Sequence, residues 1–191
     1  MSPFYGVPQN SQDGSNRVLA VVFSSDGGRT WPDYTIIYQD VQGDINPSET
    51  DLIRLPDGRF LAVIRANATG HLYRSFSADE GQTWSDLEPT PMPGHCPALL
   101  RLASGAILCA YRNVDKDQPG MSCAVSDDDG QTWQSLGFLY KGTNLDCAYP
   151  SLVRLPDDRI FCAFYTSMEK DGSGQNCDIR GLLIEDRSST K

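Results

Sequence analysis

An all-β fold of repeated four-stranded blades, a β-propeller architecture, is what this 191-residue sequence predicts, on three observations. A turn motif recurs three times at near-constant spacing. A hairpin unit recurs three times between and after those turns. No stretch shows helical periodicity, and the apolar residues fall in short runs bounded by Gly, Pro, Asp and Ser.

The turn motif is Ser-x-Asp-x-Gly-x-Thr-Trp. It appears as Ser24-Ser25-Asp26-Gly27-Gly28-Arg29-Thr30-Trp31, again from Ser77 to Trp84, and again from Ser126 to Trp133, steps of 53 and 49 residues. The Asp can accept hydrogen bonds from nearby amides, Gly supplies backbone freedom, and Trp folds beneath the start of the next strand. These acidic residues are read as structural.

The hairpin unit runs Glu49–Arg65, Cys96–Arg112 and Tyr149–Tyr165, matched position for position. Asp57-Gly58 and Ser104-Gly105 are hairpin signals, and Asp157-Asp158 is a poorer turn pair. After each hairpin a third strand follows, then a turn motif and a fourth strand, except that Asp178–Ile184 has no motif after it. Four strands per period of about 50 residues describe propeller blades. A β-sandwich has similar strands but leaves the near-identical repeats unexplained. The expected organisation is 1–43, later strands of one blade; 44–92 and 93–142, full blades; 143–191, early strands of a further blade. Such an arc leaves apolar faces uncovered, so self-association or a missing N-terminal half is expected to complete it.

Composition narrows the function. Net charge is −9, with 25 acidic against 16 basic residues, and no basic stripe offsets it, which argues against nucleic-acid binding. No apolar run spans a bilayer and the N-terminus lacks the form of a signal peptide, so the compartment is unknown, cytoplasmic by default. Asn67-Ala68-Thr69 fits a glycosylation sequon, relevant only on a secretory route. Of six cysteines, Cys109 and Cys162 lie in apolar runs at one repeat offset and read as reduced core residues. With His71 and His95 the only histidines, no metal site and no cofactor are expected.

Chemistry is expected at the blade rim. The first strand of each hairpin unit starts, and the second ends, at the same edge. Glu49 therefore meets Arg65, Arg112 lies at the next rim, and Tyr149 and Tyr165 share the one after. His95, Asp146 and Cys147 fall nearby.

The three turn motifs, the Glu49…Arg65 spacing and the segment Tyr149-Pro150-Ser151-Leu152 resemble the sialidase (neuraminidase) superfamily of glycoside hydrolases, whose turn motif is the Asp box. The likeness covers nearly the whole chain and matches the later part of a six-bladed member. The resemblance implies an exo-glycosidase that releases terminal sialic acid or a related acidic sugar by a retaining mechanism with a Tyr nucleophile. It maps Tyr149 to the nucleophile and Glu49 to its base. Arg65 and Arg112 would grip the substrate carboxylate, with Arg180 as a third arginine and Tyr165 and Asp146 as further substrate-binding residues. The family's early Arg-x-Pro and general-acid Asp are not identifiable: Arg17 is followed by Val18-Leu19, and Asp13 sits in a polar opening. The family's second arginine lies just ahead of its Asp box, whereas Arg112 ends the preceding strand, and Pro150 stands where Ser is common. Loss of the acid costs about 10²- to 10⁴-fold, so the isolated chain is expected to be weak or inactive. The competing readings are a non-catalytic glycan- or protein-binding propeller and an inactive truncated product.

Overall fold

The computed structural model describes residues 1–8, 16–167 and 177–186. Among the described residues the secondary structure is all strand, and every sheet is antiparallel. The chain divides into two compact units, Met1–Thr90 and Pro91–Lys191.

In the first unit β1 (Ser2–Gly6), β2 (Arg17–Phe23) and β3 (Asp33–Asp40) form a sheet in that order. Next to it β4 (Pro47–Arg54), β5 (Phe60–Ala66), β6 (Leu72–Ser77) and β7 (Glu88–Pro89) form a second. Alternate residues of each strand point to the shared layer. Leu19, Val21 and Ile37 of the first sheet pack on Ala62 and Ile64 of the second, with Phe23, Tyr38, Tyr73 and Trp84 around them. Burying a side chain such as Ile64 is worth roughly 1.5–3 kcal/mol, and this layer holds the pair of sheets together.

The second unit repeats the plan. A four-stranded sheet contains β8 (Gly94–Arg101), β9 (Ile107–Asn113), β10 (Gly120–Ser126) and β11 (Gln134–Lys141). A three-stranded sheet contains β12 (Cys147–Arg154), β13 (Ile160–Ser167) and β14 (Cys177–Ile184). Met121, Cys147, Ala148, Cys162 and Phe164 form the layer between them. All six cysteines are thiols, five of them buried, Cys109 and Cys162 among them.

The hairpins differ from the simplest reading of their Asp-Gly pairs. Gly58 N–H donates to Leu55 O and Leu55 N–H to Arg59 O, so the tight turn is Leu55–Gly58 with Pro56 and Asp57 at its centre. Gly58 follows at φ +92°. Pro presets the φ of the turn's second residue, and Gly takes the left-handed exit. Leu102–Gly105 and Leu155–Asp158 repeat the pattern, and Asp158 adopts φ +63°, which Asp tolerates better than most residues.

The Ser-x-Asp-x-Gly-x-Thr-Trp turns are closed by their own side chains. Thr30 donates through N–H and Oγ1 to the two Asp26 carboxylate oxygens, at 3.0 and 2.7 Å. Ser24 Oγ receives Gly28 N–H at 2.8 Å, and Trp31 Nε1 donates to Gly28 O. Asp79 and Asp128 receive Thr83 and Thr132 in the same way. These hydrogen bonds, led by the Thr83 hydroxyl, hold Asp79 down to about 2. Asp26 is held well below the carboxylate range, with the Thr30 hydroxyl the first cause. Desolvation opposes the shift at Asp128, but Thr132 and Ser126 keep it low.

Candidate functional site

Each hairpin unit opens on a β-bulge. In β4 the pairing skips from Pro47↔Ala66 to Thr50↔Ile64, leaving Ser48 and Glu49 opposite Arg65. In β8 it skips from His95↔Arg112 to Ala98↔Ala110, and in β12 from Ala148↔Tyr165 to Ser151↔Ala163. Glu49, Cys96 and Tyr149 thus all fall in bulges. Bulges re-aim side chains and gather near active sites. The repeated alignment of these three residues was the available sequence signal, although the bulges themselves were not foreseen.

In the first unit Arg65 Nη1 donates to both oxygens of Glu49 at 3.1 Å, as the hairpin count predicted. The two side chains are 17% and 24% exposed, so water screens the pair only in part. The approach to this bulge is fixed by Asp40, 1% exposed. Its carboxylate accepts the N–H groups of Gly43, Asp44, Ile45 and Asn46 at 2.5–3.2 Å. Asn67 Nδ2 then ties Asn46 O and Ser48 Oγ together. Sequence reasoning missed Asp40; an Asp three residues before Gly43 was its only mark.

In the second unit four predicted residues meet. Arg112 donates from Nε to Cys147 O at 2.6 Å and from Nη2 to the Tyr165 hydroxyl at 2.8 Å. Its Cζ stands 5.0 Å from the Tyr149 ring centroid and 6.0 Å from that of Tyr165, which are cation–π distances. The Tyr165 hydroxyl donates to Asp146 Oδ1 at 2.5 Å. Tyr149 and Tyr165 lie 5.9 Å apart, centroid to centroid. Burial, then the bond to Asp146, push the Tyr165 phenol up to about 12 against the pull of Arg112, so it stays protonated. Tyr149 is 43% exposed and sits at φ +51°, beside Ala148 at φ +78°. Left-handed backbone at a bulky aromatic is strained and concentrates at functional sites.

Arg180 is placed differently. It stacks on Tyr140 at 5.6 Å, donates to its hydroxyl at 3.3 Å, and pairs with Asp178 on β14. His95 lies opposite Arg112 in the β8–β9 ladder. Asp13 lies outside the described residues.

The protein holds one edge of the Arg112 guanidinium and leaves its other N–H groups without a partner among the described residues. Such a fork suits a carboxylate or another anionic oxygen pair. An exposed phenol stands beside it.

This is the fold of the sialidase-like β-propellers. Residues 4–162 match the BNR repeat-like domain, and the chain belongs to that family. Among solved structures, a Dyadobacter fermentans protein of unknown function superposes with TM-score 0.72 at 23% identity, over 90% of this chain and 45% of that one. The intramolecular trans-sialidase of Ruminococcus gnavus, solved with oseltamivir carboxylate, gives 0.62 at 18%, over 98% and 44%. An alpha-L-arabinanase of Penicillium chrysogenum, solved with arabinobiose, gives 0.59 at 18%, over 74% and 46%. The chain spans less than half the length of each. No curated protein matches it. Among the described residues no helix is long and apolar enough to cross a membrane.

Proposed function

We propose that this chain carries part of the site of a retaining exo-glycosidase that releases terminal sialic acid or a related acidic sugar. The observation that supports this most is the Arg112 guanidinium stacked against the exposed, strained Tyr149. Sialic acid bears a carboxylate beside its anomeric carbon, so an anionic nucleophile would be repelled, and a neutral phenol is not. Arg112 takes the substrate carboxylate. The Tyr149 oxygen attacks the anomeric carbon as a base takes its proton, and the glycosidic bond breaks with the aglycone leaving as its anion. Water then cleaves the Tyr149–sugar bond, restoring the phenol and releasing the sugar with its configuration retained. No residue of the chain is assigned to protonate the leaving group, so activated aryl glycosides are the better substrates.

The test is a panel of fluorogenic glycosides covering sialosides, other acidic sugars and α-L-arabinosides. Hydrolysis confined to acidic sugars supports the reading. Preference for the arabinoside, or binding of acidic sugars with no turnover even of the aryl sialoside, replaces it with a furanosidase or a non-catalytic glycan-binding role respectively.

A further inference from the structure

In the first unit, strand alternation sends Leu19, Val21 and Phe23 toward the second sheet and their neighbours to the other side. The ladder pairs Phe4 with Ala20, Ala20 with Ile36, and Val22 with Tyr34, so these five residues share the face turned away from the second sheet. Phe4 is 61%, Tyr34 69% and Ile36 43% exposed. Phe4, Val7, Val18, Tyr34 and Ile36 line a recess of about 350 Å³ there.

The second unit ends in the same way. Cys162, Phe164, Leu152 and Leu182 face the β8–β11 sheet. Ladder partners Val153 and Phe161, and Phe161 and Leu183, turn to the other side, with Ile179 four residues before Leu183 on the same strand. Val153 is 51%, Leu183 55% and Ile179 81% exposed. Gly181 lets the Phe161 ring lie against its strand, since a Cβ there would come within 2.6 Å of that ring.

We infer that these two faces bind each other between copies, with the β12–β14 face of one chain seated on the β1–β3 face of a second. Two observations favour a second copy. Both faces carry the apolar alternation that joins sheets inside each unit, and one supplies protruding side chains, Ile179 and Leu183, where the other supplies a recess. The named residues of both faces are uncharged, so two molecules of net charge −9 meet through the surfaces where repulsion is weakest. The pairing is head to tail, with unlike faces in contact.

The experiment is sedimentation velocity of the full chain from low to high micromolar concentration. The wild type is expected to reach twice the chain mass or more. Tyr34→Lys/Ile36→Lys and Ile179→Lys/Leu183→Lys are each expected to remain monomeric, with unchanged far-UV circular dichroism. An equimolar mixture of the two variants retains one intact face of each kind and is expected to recover a two-chain species. Leu136→Lys, a control on the exposed side of β11, leaves association unchanged. A wild type that is monomeric throughout overturns the proposal and gives the faces to another chain. So does association that survives in either double variant, or that is lost in the Leu136 control. If a double variant loses its circular dichroism, Ile179→Lys alone, at the most exposed position, serves in its place.

Discussion

The bulge that opens β4 and the bulge that opens β12 begin equivalent hairpin units, yet they present opposite chemistry. In the first, Glu49 and Arg65 close on each other as a half-buried ion pair, with Asp40 pinning the approach. In the second, Tyr149 stands exposed and strained, and Arg112 stacks against it while two protein oxygens hold the guanidinium's inner edge. The repeat supplies a backbone device that aims one side chain per blade. The side chain presented there differs from blade to blade, and the bulge of β8 holds the buried thiol of Cys96.

The sharpest way to break this comparison is to remove the Tyr149 hydroxyl. Tyr149→Phe should eliminate turnover of an aryl sialoside without a change in circular dichroism. Turnover that survives Tyr149→Phe refutes the difference drawn between the bulges. Next in size is Asp40→Ala. It strands backbone donors of a buried turn and should cost about 2–4 kcal/mol in urea unfolding; a loss under about 0.5 kcal/mol would mean that the approach to β4 is not pinned.

Tyr165→Phe sharpens the contrast from the other side. It removes the hydroxyl that bridges Asp146 and Arg112, so KM for an acidic sugar should rise about tenfold, roughly the worth of one hydrogen bond to a charged group. A fall in kcat at constant KM would instead assign Tyr165 to the chemistry. The smallest effect concerns the turns, which lie outside the comparison. Asp79 titrates at about 2 in the folded chain, below the ordinary carboxylate value of about 3.9 in an unfolded one. Its contribution is therefore complete above about pH 4 and is lost as pH falls through about 2. The stability of Asp79→Asn should decline less steeply over that acid window, and an unchanged slope would contradict it.

The architecture was legible because repetition carries it. Three turns with one side-chain pattern and three hairpin units of equal length left little freedom, and Glu49 facing Arg65 followed from counting residues either side of Gly58. Arg112 beside Tyr149 and Tyr165 was also anticipated from rim position. Three features were not. The bulges depend on register slips that no residue type announces. Asp40 acts through backbone donors that belong to the fold and leave no pattern in composition. Arg180 was expected as a third arginine for the substrate carboxylate, and the β13–β14 register sets it opposite Phe164, where it reaches Tyr140.

Everything proposed about catalysis turns on the phenolic oxygen of Tyr149 bonding to the anomeric carbon. A 2,3-difluorinated sialic acid tests this directly, because fluoride departs without help from a general acid and the 3-fluoro group slows release of the sugar from the enzyme. Peptide mass spectrometry after incubation should find the fluorosugar on the peptide containing Tyr149, and no adduct in Tyr149→Phe. An adduct on any other residue, or none on the wild-type chain, would contradict the account.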